Sequence, residues 1–179
     1  FDALITANYQ AIDYTLTLTG SNGSSTGDGV YNINDVVNIT ATPNPGYLFK
    51  NWVLTGPGSL TSRTSRSTSI VIGNGNCTLE AIYEAIDYTI STNGSNGVET
   101  GGGIYNIGNV LDITAKPEPG YEFTSWSSSD PGTILSAASK QTKFTVGAGD
   151  ASISANYTAI DYNISIVGPN GSQPGSGIY

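Results

Sequence analysis

Along Tyr14-Thr-Leu-Thr-Leu-Thr19 apolar and hydroxyl side chains alternate, the period-two signature of a half-buried strand. The same reading predicts strands over Val36–Thr42, Tyr47–Leu54, Ser67–Ile72 and Thr78–Tyr83. In the last of these Leu79, Ala81 and Tyr83 share one face. Strict alternation over Tyr47–Trp52 puts Tyr47, Phe49 and Asn51 on one side and Leu48, Lys50 and Trp52 on the other. Between the strands lie turn formers. Ser21–Gly29 carries Asn-Gly and Asp-Gly and reads as a loop or hairpin connection. Pro43-Asn-Pro-Gly46 cannot continue a ladder, and Gly56-Pro-Gly58 and Gly73-Asn-Gly-Asn76 close the next two strands. Ile134–Lys140 has some helix-forming character, but its counterpart Leu60–Arg66 has less, so both are read as loop.

These strands belong to a repeat. Ala-Ile-Asp-Tyr occurs at Ala11–Tyr14, Ala85–Tyr88 and Ala159–Tyr162, 74 residues apart each time. Residues 11–84 lie over 85–158 without a gap, with 34 of 74 positions identical, too many for coincidence. Ile5, Ala7 and Tyr9 match the last strand of a unit. Residues 1–10 are therefore expected to be the C-terminal strand of a preceding repeat, 11–84 and 85–158 two whole units, and 159–179 the start of a following one. The expected fold class is all-β: small tandem domains of about five strands each, β-sandwich or β-grasp-like, in an extended array. The junction Glu84-Ala-Ile-Asp87 contains neither Gly nor Pro and suggests semi-rigid stacking.

Composition narrows the function classes. There is no His, so a Ser-His-Asp triad, a Cys-His dyad and imidazole metal ligands are excluded. One cysteine, Cys77, makes neither an intrachain disulfide nor a thiolate zinc site. A net charge of −8 opposes nucleic-acid binding, and no apolar run of about 18 residues offers a membrane span. Only 11% of residues are charged, against about 25% in typical soluble domains. Thr, Ser and Asn cover the surface instead, which is read as extracellular or cell-surface.

The order Tyr14-Thr-Leu-Thr-Leu, Gly29-Val-Tyr-Asn-Ile, Val37 through Trp52 and Leu79-Glu-Ala-Ile-Tyr83 resembles bacterial repeat domains of the divergent internalin-type B-repeat class. The most specific part is Ala-x-Pro-x-Pro-Gly-Tyr-x-Phe-x-x-Trp, present at Ala41–Trp52 and Ala115–Trp126. Asn51 and Ser125 stand where the family usually has Gly, so local geometry there is expected to differ. The resemblance implies a β-rich module of large secreted or surface-anchored microbial proteins, without catalytic residues or cofactor. The expected function is a structural spacer such as an adhesin stalk, and not an enzyme. The alternatives are a segment of an extracellular filament and a glycan-binding module. Expected partners are neighbouring repeats, other copies in a filament, or host and surface glycans.

Within this frame a few side chains are candidate site residues. Tyr47, Phe49, Trp52, Tyr121, Phe123 and Trp126 are expected as core anchors, with sugar stacking the alternative. Asp13, Asp87 and Asp161 are the only acids that recur between units. They suit an Asx turn, or else an inter-repeat calcium site. The other acids drift, as Asp35 to Asn109 and Glu80 to Ser154, so no acid pair for glycoside hydrolysis persists. Among the Asn-x-Ser/Thr sequons, Asn22 and Asn170 lie in loops as glycosylation acceptors if the source glycosylates Asn.

Overall fold

The computed structural model describes residues 3–129, 131–164 and 177–178. It divides into two compact units, Phe1–Ile86 and Asp87–Tyr179, each built the same way.

The first unit has eight strands: β1 (Asp13–Thr19), β2 (Gly23–Thr26), β3 (Gly29–Asn32), β4 (Val36–Pro43), β5 (Tyr47–Thr55), β6 (Gly58–Leu60), β7 (Ser67–Ile72) and β8 (Cys77–Ala85). They form two four-stranded sheets, ordered β3-β1-β8-β5 and β2-β4-β7-β6. All pairs are antiparallel except β1 with β8, which run parallel from Leu16↔Cys77 to Thr19↔Glu80. The two inner faces meet in one core of Leu16, Val37, Ile39, Ala41, Trp52, Ile70, Ile72, Cys77, Leu79 and Ala81. Alternating burial along β4 and β8 shows the period-two pattern at work: every second residue enters the core. Each unit is therefore a β-sandwich.

The second unit repeats this with β9 (Tyr88–Gly94), β10 (Gly97–Thr100), β11 (Gly103–Tyr105), β12 (Val110–Pro117), β13 (Tyr121–Ser128), β14 (Gly132–Ile134), β15 (Gln141–Val146) and β16 (Ala151–Ala159). Its sheets are β11-β9-β16-β13 and β10-β12-β15-β14, around a core that includes Ile90, Trp126, Phe144 and Ile153. Finally β17 (Asn163–Ile164) pairs with β18 (Gly177–Ile178). Their register, Ile164↔Gly177, reproduces Leu16↔Gly29 at a distance of two repeats.

Two expectations needed revision. The five expected strands of a unit exist, but three short ones join them. Part of the Ser21–Gly29 loop is β2, and Gly29–Asn32 and Gly58–Leu60 add β3 and β6. Strands this short carry too few side chains to show a period, and tertiary pairing creates them. Second, the alternation in β5 is broken by a bulge. Phe49 faces Tyr83 but Asn51 faces Ile82, so Lys50 is an extra residue. Phe49 and Trp52 consequently share one face, their ring centroids 5.3 Å apart. The second unit has the same shift between Phe123 and Ser125. The bulge adjoins the Asn51 and Ser125 positions where family members usually carry Gly, yet neither residue has a positive φ. Residues 3–12 form no strand, and Leu4, Ile5 and Tyr9 are at least 92% exposed. Their counterparts in β8 and β16 are held by β1 and β5, or β9 and β13.

Phe144 occupies the core place that Ile70 fills in the first unit. The larger ring fits because Gly132 has no side chain: a Cβ there would lie 2.0 Å from Phe144 Cζ. At the equivalent Gly58 the nearest atom, Val71 O, would be 3.1 Å away.

Candidate functional site

Most recurring side chains serve the sandwich itself. Trp52 and Trp126 are 1% and 3% exposed. Their indole N–H groups donate to Ser65 O and Ser139 O, each at 3.0 Å. Their backbone N–H groups donate to Arg63 O at 2.8 Å and Ala137 O at 2.7 Å. Each tryptophan thus fills the core and ties the loop after β6 or β14 onto the edge strand β5 or β13. That covers an otherwise open sheet edge. An indole so enclosed presents no face to a sugar ring. Phe49 and Phe123 are half-buried and pack on the two cores. Tyr47 and Tyr121 are half-buried too, but they are not among the rings packed there. Two anchors that sequence reasoning had not singled out are Tyr83 and Tyr157. Each ring lies edge-on to its Phe partner, at 6.0 and 6.1 Å, and close above a glycine, Gly23 or Gly97. Burial, and then the hydrogen bond and charge of Glu99, push the Tyr157 phenol well above its ordinary range.

The recurring acids make a cross-strand pair. Asp13 Oδ1 accepts from Asn32 Nδ2 and Asp87 Oδ1 from Asn106 Nδ2, both at 2.8 Å. The expected Asx turn is not formed, because the N–H two residues after Asp13 and after Asp87 donates elsewhere, and a different side chain, three positions after each asparagine, accepts that asparagine's own N–H. Asp35 accepts from the Asn32 N–H at 2.8 Å, and Asn109 from the Asn106 N–H at 3.1 Å. A second exchange follows the same rule. The N–H of Thr15 donates to Asn76 Oδ1 and that of Thr89 to Asp150 Oδ1, each at 2.8 Å. A backbone donor needs only an acceptor oxygen, which amide and carboxylate supply equally. This is why acids drift between units without harm to the fold.

Asp161 is exposed. Among the described residues, no group of three or more His, Cys, Asp or Glu side chains could hold a metal ion. Asn22 is exposed with φ 72° in the turn before β2, and Asn170 lies outside the described residues. Cys77 is buried in the core and desolvation pushes its thiol up, away from the reactive thiolate.

The two units differ on the outer face of the sheet containing β4 and β7. In the first unit a groove of about 420 Å³ opens there, walled by Asn38, Thr61, Ser62, Ser65, Ser67 and Ser69. Thr61 and Ser69 hydroxyls bond at 2.8 Å, and Ser65 Oγ donates to Ser67 O at 2.6 Å. In the second unit Asp112 and Lys143 stand at the positions of Asn38 and Ser69, joined by a 2.8 Å ion pair.

Comparison with known proteins gives one result. The family described as the divergent InlB B-repeat domain matches residues 14–87 and 88–161, the same 74-residue period. No curated protein and no solved structure matches.

Proposed function

The chain belongs to the divergent InlB B-repeat domain family, and from that premise we propose that it is a structural spacer of a secreted or cell-surface microbial protein, such as an adhesin stalk. Repeats of this type are typical of bacterial surface proteins. The observation that carries the reading is what the two units keep in common. The tryptophan tie to the edge loop, the aromatic contact above glycine and the Asp–Asn strand pair recur residue for residue. Surface chemistry between them changes freely. Selection for a self-contained module, stackable in number, leaves that signature. No catalytic role is assigned, and the partners of such a spacer are first its neighbouring repeats. Small-angle scattering on chains with increasing numbers of 74-residue units tests this. The maximum dimension should grow linearly with unit number; a dimension that levels off would overturn the spacer reading.

A further inference from the structure

We propose that the groove on the outer face of β4 and β7 in the first unit binds an acidic glycan, a saccharide chain bearing carboxylate or sulfate groups. The inference is independent of the spacer reading. Three features converge on it. The groove is walled by hydroxyl and amide groups, with no acidic side chain among its lining residues. Its hydroxyls bond one another through only part of their capacity. The Asn38 amide has no hydrogen-bond partner among the described residues. Rows of such groups suit the hydroxyls of a sugar chain.

The second feature is charge. In a chain of net charge −8, both arginines, Arg63 and Arg66, stand on the loop that contributes Ser62 and Ser65 to the groove. Both are exposed, and neither forms an ion pair among the described residues, whereas Lys50 and Lys143 are tied to Glu84 and Asp112. The loop is fixed: Arg63 O accepts the Trp52 N–H at 2.8 Å and Arg66 O the Ala41 N–H at 2.9 Å. Two exposed guanidinium forks carried on so fixed a backbone match the paired oxygens of a carboxylate or sulfate group.

The third feature is the contrast with the second unit. There Asp112 and Lys143 satisfy each other across the corresponding face, and Ala137 replaces Arg63. Where the second unit has an exposed ion pair, the first has neutral donors and acceptors, and it carries one more free cation beside them, Arg63, since Arg66 has Lys140 as its counterpart. A fold maintained by backbone acceptors and core rings does not require that difference.

The test is biolayer interferometry of the whole chain against immobilised polygalacturonate, dextran sulfate and uncharged dextran. Binding to either acidic polymer but not to dextran is expected, and which one binds assigns the carboxylate or the sulfate source. Affinity should weaken as salt is raised from about 0.15 M to about 1 M, over which the Debye length falls from about 8 to about 3 Å. The Arg63→Ala/Arg66→Ala variant should bind about tenfold more weakly, as expected for two partly solvated ion contacts, while keeping the wild-type thermal midpoint. Asn38→Asp/Ser69→Lys installs the second unit's ion pair at constant net charge and should also weaken binding, whereas Lys140→Ala should not. The proposal is overturned by equal binding to dextran, by no binding to either acidic polymer, or by an Arg63→Ala/Arg66→Ala variant that retains full affinity.

Discussion

Trp52→Ala tests the core assignment most directly. The ring is 1% exposed, packs 5.3 Å from Phe49, and donates to Ser65 O at 3.0 Å. Removing a buried aromatic costs about 3–5 kcal/mol, of which the lost hydrogen bond is about 1 kcal/mol. A sandwich of this size is stable by about 4–11 kcal/mol at roughly 0.05–0.15 kcal/mol per residue. The loss therefore takes much of the first unit's stability and lowers its midpoint by about 20 °C, at about 4–8 °C per kcal/mol. Hydrogen exchange read by mass spectrometry localises the effect. Amides of β4 and β7 should exchange much faster, while those of β12 and β15 keep their protection because Trp126 is untouched. Trp52→Phe, which keeps most of the volume but loses the indole N–H, should fall in between. Wild-type exchange rates in β4 and β7 of the Trp52→Ala variant would refute the reasoning and return the ring to the surface.

Three further outcomes follow from particular contacts. Gly132→Ala should destabilise the second unit by about 2–4 kcal/mol, adding overpacking against Phe144 to the strain of a side chain at φ 151°, and Phe144→Ile should restore part of the loss. Urea unfolding of the single and double variants measures that coupling, and Gly58→Ala should cost less. Asp150→Asn should change stability by under about 0.5 kcal/mol and Asp150→Ala by about 1 kcal/mol, since Asn76 already performs the same task in the first unit; equal costs in chemical denaturation would contradict the acceptor argument. The folded-state pKa of Tyr157 is raised above the unfolded value of about 10, so its stabilising contribution is complete below that pH and is lost as pH rises above it. Ultraviolet difference titration should show one phenol ionising later than the rest. Tyr157→Phe should remove that step, and a step that survives the substitution would reassign it.

Much of this fold was legible from the chain alone. The repeat period, the five longer strands and the turn positions follow from local rules. Alternation places Leu79 and Ala81 inward, and Pro43 and the paired glycines stop the strands whatever surrounds them. The burial of a tryptophan at the same place in each unit was legible too, because a core must be rebuilt with every copy. Other features depend on partners distant in sequence. The bulge at Lys50 overrides period two because Phe49 and Trp52 must both reach the core beside Tyr83, which no window of β5 reveals. Strands β2, β3 and β6 exist through pairing with β4, β1 and β7. The shared task of Asp150 and Asn76 appears only when each meets the N–H of a strand 61 residues away. The groove beside Arg63 and Arg66 belongs to this second class. Sequence determined the module and its repetition, because those rest on local periodicity and backbone preference. Tertiary structure decided which face each ring takes, which oxygens can be exchanged and where an outer surface opens, because those rest on which strands come to lie side by side.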